Sequence, residues 1–236
     1  MKNNEGSEKF SQFAKRLGLK FKDINNFRNA FVHRSYLNEN KKFDLPNNER
    51  LEFLGDAVLE LAVTRFLFEN YDLSEGELTA LRSAIVRGQN LSEVGRKIGI
   101  EEYIYLSSGE KQGSPKAKSL IVANCLEAII GAIYVDSGFE TSEGFVNKYI
   151  TSTVEKILTD NLHVDAKSSF QERIQEELKI TPSYKVLSES GPDHNKQFVS
   201  GVYVGEKLIA EGRGSSKSQA ENEAARNAIE SIEHNL

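Results

Sequence analysis

The run SLIVANCLEAIIGAIYV, residues 119–135, constrains this chain most, because Glu127 is its only charged residue. Apolar character on every side predicts a helix enclosed by the core, since a surface helix needs a polar face. A lone carboxylate in such a helix must become neutral, meet a cation or bind a metal, because burying an unpaired charge is costly. Asn124 lies three residues earlier and shares its face. Cys125 reads as a small core residue. As the single cysteine it excludes an internal disulfide, which fits a reducing cytoplasm. No uncharged apolar run reaches the ~18 residues of a membrane span. The opening MKNNEGSEKF is polar rather than signal-like, so the expectation is a cytoplasmic globular protein without membrane contact.

A second stretch, NNERLEFLGD at residues 47–56, crowds Glu49, Glu52 and Asp56. At about 100° per residue these three share one helix face, which Glu60 extends by a turn. Leu51, Leu54, Val58 and Leu61 are assigned to the opposite, core-facing stripe. Acids at this spacing repel, so something should compensate them. Either Arg50 and Arg65 relieve a solvated face, or the face binds a cation. Phe53 lies only about 40° from Glu49, on the acidic side, and is predicted to meet a partner surface. Burying such a ring recovers roughly 1.5–3 kcal/mol.

The 236 residues allow one sizeable domain or two small ones. The expected organisation is multi-domain: an all-α domain at 1–157, a polar linker at 158–166 (LTDNLHVDA), and a small α+β domain at 167–236. In the first domain, helices are predicted from Phe10 to a stop at Gly18, from Ile24 to about Tyr36, after a Ser74–Glu77 capping box, and over Ser92–Ile98. Asn38–Asn47 and Ser107–Lys118 read as loops. In the second domain a helix at 168–178 precedes strands at SYKVLSES, KQFVSGVYV and KLIAEG. Gly205-Glu206 is a hairpin turn, and a helix from Ser216 places Ala220, Ala224, Ala225, Ala228 and Ile229 on a core face.

The net charge of −5 argues against a bulk electrostatic attraction to nucleic acid, and residues 165–236 carry 9 Lys+Arg against 12 Asp+Glu. Any polyanion must be held by local cations and helix ends. GRGSSKSQA at 212–220 puts Gly, Ser and Lys at a helix N-terminus, where free N–H groups attract phosphate, without the order of a nucleotide P-loop. Gln171 and His194, in the loop GPDHNK, could reach the ribose hydroxyls by which duplex RNA is read, although His194 also fits an ordinary loop histidine. Glu49, Glu52, Asp56 and Glu127 make an all-oxygen donor set suited to Mg²⁺ or Mn²⁺, which could stabilise charge at a phosphodiester; Glu127 paired with an arginine is the alternative.

These stretches resemble a known family. NERLEFLGDAVLEL is similar to the signature helix of ribonuclease III and CLEAIIGAIYVDSG to its second catalytic helix; HRS at 33–35 and LRSAIV at 81–86 also fit. PSYKVLSESGPDHNKQFVSGVYV and GRGSSKSQAENEAA resemble a double-stranded RNA-binding domain. The resemblance implies a Mg-dependent endoribonuclease, with Mn possible, that acts on double-stranded RNA such as rRNA precursors and leaves 5′-phosphate and 3′-hydroxyl ends. It implies metal ligation chiefly by Glu52 and Glu127, with Glu49, Asp56 and position 124 in the catalytic set and Glu75 as an auxiliary acid. It also implies a homodimer into which Phe53 inserts, and RNA contacts from Gln171, His194, Lys196, Ser216 and Lys217. Two positions depart from the family pattern. Asn124 stands where the family has Asp, removing a negative charge and predicting weaker metal binding or slower cleavage. Ser218 replaces a second cation after Lys217, predicting weak binding by this domain alone. The alternative function is a cleavage-impaired double-stranded RNA-binding protein.

Overall fold

A computed structural model describes residues 2–159, 166–192 and 196–233. The chain divides into two compact units, Met1–His163 and Val164–Leu236.

The first unit is helical: α1 (Lys2–Arg16), α2 (Ile24–Asn29), α3 (Arg34–Glu39), α4 (Glu49–Asn70), α5 (Glu75–Ile85), α6 (Gly88–Ile98), α7 (Ser108–Lys111), α8 (Pro115–Ser137), α9 (Phe139–Tyr149) and α10 (Val154–Thr159). Helix α8 is long and apolar enough to cross a membrane, but two thirds (67%) of its apolar window is buried in the fold, where it packs on α4, α6 and α9. Its Cys125 is fully enclosed. Around α1 and α2 the core is aromatic, with Phe13 stacked on Tyr103 and Phe10 and Phe27 against Phe31.

Local signals placed several helix ends. Ser74 and Glu77 form the complete capping box, the Ser74 N–H donating to Glu77 at 2.8 Å. Gly99 ends α6 in the left-handed region at φ +84°. Two expectations fail. The single helix from Ile24 to Tyr36 is α2 and α3 with a break at 30–33, because tertiary partners use that backbone: Tyr105 N–H donates to Phe31 O, His33 N–H to Tyr105 O, and Asn48 N–H to Val32 O. A continuous helix would need those carbonyls for its own ladder. The loop at 107–118 contains α7 and the first turn of α8, which Ser114 caps by accepting from Ala117 N–H with Pro115 at the first helical position.

The second unit runs α11 (Ala166–Leu178), β1 (Ser183–Ser190), β2 (Gln197–Val204), β3 (Lys207–Gly214), α12 (Lys217–Glu233). The three strands pair in sequence order, all antiparallel. Phe170 and Ile174 of α11 and Ala224, Ala225 and Ala228 of α12 share a core with Val202 of β2. Of the expected linker at 158–166, Leu158 and Thr159 belong to α10 and Ala166 to α11 and its core, while 160–165 lie outside the described residues.

Candidate active site

The acids of both motifs lie on two helices, α4 and α8, that touch backbone to backbone. A Cβ built on Gly55 collides with the Glu127 carbonyl, and one built on Gly131 collides with the Leu51 carbonyl. Only glycine permits so close an approach. Glu52 and Asp56 flank the Gly55 contact on α4, and Glu127 sits at it on α8. The crossing therefore brings carboxylates from distant stretches of chain into one electrostatic field.

That field is negative. Burial pushes Glu127 up to about 7, helped by the neighbouring charges of Asp56 and Glu52. Burial also raises Glu52, with Glu49 and Asp56 adding repulsion, while a hydrogen bond from the Asn124 side chain pulls it back down. Asn124 thus supplies a donor to the cluster where an aspartate would supply another charge. No ion pair to Glu127 occurs among the described residues.

The arginines beside the row differ from those expected. Arg65 pairs with Glu69 at 2.8 Å and Glu143 at 3.2 Å, and Arg50 makes no ion pair among the described residues. Arg65 is five residues beyond Glu60, about 140° around the helix, and so faces away. Instead Arg34 of α3 approaches Glu49 at 3.5 Å, and Arg82 of α5 holds Glu60 at 3.1 Å. Neither reaches Glu127. Glu75 opens α5, accepts from Thr79 at 3.3 Å, and is not among the charges that shift Glu52 or Glu127.

Among the described residues no three His, Cys, Asp or Glu side chains form a ready-made metal cage. The oxygen-only donor set of Glu52, Asp56 and Glu127 nevertheless fits a hard divalent cation, because carboxylate oxygens are the ligands such ions take.

On the same helix Phe53 is 82% exposed, Phe68 79% and Leu61 56%. These three fall within about 80° of arc. Leu61 therefore leaves the core stripe to which its periodicity assigned it, because the buried face of α4 is centred on Gly55, Val58, Leu59, Ala62, Val63 and Leu67. The result is one exposed apolar stripe beside the acids.

In the second unit, Ser216 accepts from Gln219 N–H at 3.2 Å and caps the turn that begins α12, leaving Lys217 on its first residue. Lys196 precedes β2, and Gln171 is exposed on α11. His194 lies outside the described residues.

Residues 23–154 match the family described as Ribonuclease-III-like, and residues 166–232 match the Double-stranded RNA binding motif. The chain belongs to the ribonuclease III family. It is 42% identical over 233 residues to Ribonuclease 3 of Borreliella afzelii, covering 98% of this chain and 94% of that relative. It is 40% identical over 227 residues to Ribonuclease 3 of Leptospira interrogans, covering 96% and 92%. A solved nuclease domain of ribonuclease III from Campylobacter jejuni, described for structural flexibility in the region involved in its dimer formation, aligns at TM-score 0.55 and 35% identity over 61% of this chain and 96% of that one.

Sequence alone assigned no individual role to Gly55, Gly131, Arg34 or Arg82, although each lies in a stretch that resembles the family. The two glycines carried a signal: a glycine inside a strong helical pattern points to close packing. The arginines stand in the family-like stretches HRS and LRSAIV, but which acids they pair with depends on how α3 and α5 pack beside α4.

Proposed function

We propose that this chain is a divalent-metal-dependent endoribonuclease of double-stranded RNA that acts as a homodimer in the cytoplasm. Its domain limits are taken as 1–157 and 167–236, joined by 158–166. The observation that carries this reading is the tight α4–α8 crossing, which gathers Glu52, Asp56 and Glu127 in a chain that also holds a double-stranded RNA-binding fold.

Glu52 and Glu127 are the residues assigned to hold Mg²⁺ or Mn²⁺, with Asn124 supporting Glu52. A bound divalent ion supplies charge neutralisation at the scissile phosphodiester and lowers the pKa of an attacking water. Asp56 helps orient that water by accepting a hydrogen bond. Glu49, steadied by Arg34 and by Asn47 at 3.2 Å, supports a second ion or the departing end. Glu75 is an auxiliary acid to these. The stripe of Phe53, Leu61 and Phe68 is the dimer face, which supports two cleavage centres in one assembly. Gln171, His194, Lys196, Ser216 and Lys217 hold ribose hydroxyls and phosphates of the duplex.

Incubating the full chain with a long RNA duplex and Mg²⁺ tests the reading. Short products with 5′-phosphate and 3′-hydroxyl ends are expected; a gel shift without cleavage in both Mg²⁺ and Mn²⁺ leaves a binding protein and overturns it.

A further inference from the structure

We infer that Glu189 is an internal competitor for RNA phosphate, a built-in carboxylate that weakens the grip of the second unit on duplex RNA. The inference rests on the proposed assignment of Lys196 and Lys217 as phosphate contacts. Glu189 lies near the end of β1, directly opposite Phe198 in the β1–β2 register. One carboxylate oxygen stands 3.5 Å from the Lys217 ammonium and the other 3.8 Å from the Lys196 ammonium. Lys217 also lies over the Phe198 ring at 5.9 Å. One acid therefore bridges two lysines that approach it from different segments, the start of α12 and the residue before β2.

A phosphate arriving at either ammonium displaces a partner of its own sign. Even where the lysines keep contact with Glu189, the carboxylate remains beside the RNA backbone and repels it. The groups are partly exposed, with side-chain exposures of 40–60%, so water and salt damp the effect to a few-fold change. The same unit has Ser218 where a second cation would follow Lys217, and its acids outnumber its bases. Glu189 fits this setting as a device that keeps duplex binding weak and releasable.

Duplex RNA binding by the full chain, measured by fluorescence anisotropy in EDTA between 50 and 300 mM KCl, tests the inference. Glu189→Gln is expected to bind three- to tenfold more tightly at 50 mM, with the advantage shrinking as salt rises and a steeper dependence of log affinity on log salt. Thermal unfolding of the variant controls for folding. A double Lys196→Ala, Lys217→Ala variant is run beside it and is expected to lose affinity. If it does while Glu189→Gln binds no more tightly than the parent, the inference alone is overturned. If the lysine variant binds as well as the parent, the phosphate-contact assignment fails and the inference falls with it.

Discussion

Glu127 in the nuclease unit and Glu189 in the RNA-binding unit each sit among ionisable groups, but the first faces acids and the second faces two lysines. Glu127 is held in the apolar α8, where burial, helped by the nearby charges of Asp56 and Glu52, pushes it up to about 7. Glu189 is partly in water, where its two ion pairs change little beyond a local binding equilibrium. Uncompensated charge in a partly buried site can recruit a cation; compensated charge at a surface adjusts an affinity. Depth of burial separates the two roles as much as the sign of the neighbours does.

The largest expected effect removes the buried acid. Glu127→Gln is expected to lower cleavage by about 10³-fold or more, since the proposed assignment makes Glu127 a metal ligand and metal-based charge stabilisation is worth several kcal/mol. The same change should stabilise the metal-free protein above pH 7 by roughly 1–3 kcal/mol after allowance for solvent, at 1.36 kcal/mol per pKa unit. Between the ordinary carboxylate value near 4.5 and about 7, the folded parent keeps a proton on Glu127 that the unfolded chain has released. Its stability in EDTA therefore falls as pH rises through that window. Glu127→Gln should flatten this slope, and Mg²⁺ should reduce it in the parent. Thermal melts across pH check both, and a parent as stable at pH 8 as at pH 5 would remove the contrast with Glu189.

Gly131→Ala tests the crossing itself. A methyl group driven at the Leu51 carbonyl is expected to cost about 1–3 kcal/mol or more, read by urea unfolding. A neutral outcome means that the helices can separate without loss, and that their approach does not hold the acids together. Phe53→Ala comes next: loss of roughly 1.5–3 kcal/mol of ring burial per subunit is expected to dissociate the dimer at low micromolar concentration in sedimentation runs, with little change in monomer stability. The smallest effect is at Asn124. Asn124→Asp replaces a hydrogen-bond donor to Glu52 with a charge, so the metal-free melting temperature should drop by a few degrees while cleavage at limiting Mg²⁺ rises several-fold. Equal cleavage rates there would show that the amide serves the metal site as well as a carboxylate.

Legibility in the sequence followed the range of each interaction. The Ser74–Glu77 box, the Gly99 stop, the three strands and the Gly205-Glu206 turn depend on neighbours a few residues apart, and all appear as read. The helix expected through Ala30–His33 breaks because Tyr105 and Asn48, far along the chain, take its backbone groups. The Ser114-Pro115 start of α8 is a local signal, but it stands in a Gly- and Lys-rich stretch that reads as loop. Leu61 departs from the expected core stripe because periodicity gives an angle along a helix but not how wide an arc the neighbouring helices cover.

From sequence alone came the helical character of α4 and α8, the acids they carry, the exposed Phe53 and the α-β-β-β-α order of the second unit, because hydrophobic period and turn chemistry are written locally. Only the tertiary structure decided that Gly55 and Gly131 meet opposing carbonyls, that Arg34 and Arg82 rather than Arg50 and Arg65 approach the acidic row, and that Glu189 bridges Lys196 and Lys217. Those outcomes depend on which surfaces come within a few ångströms of each other, and both close packing and Coulomb attraction are set by that distance.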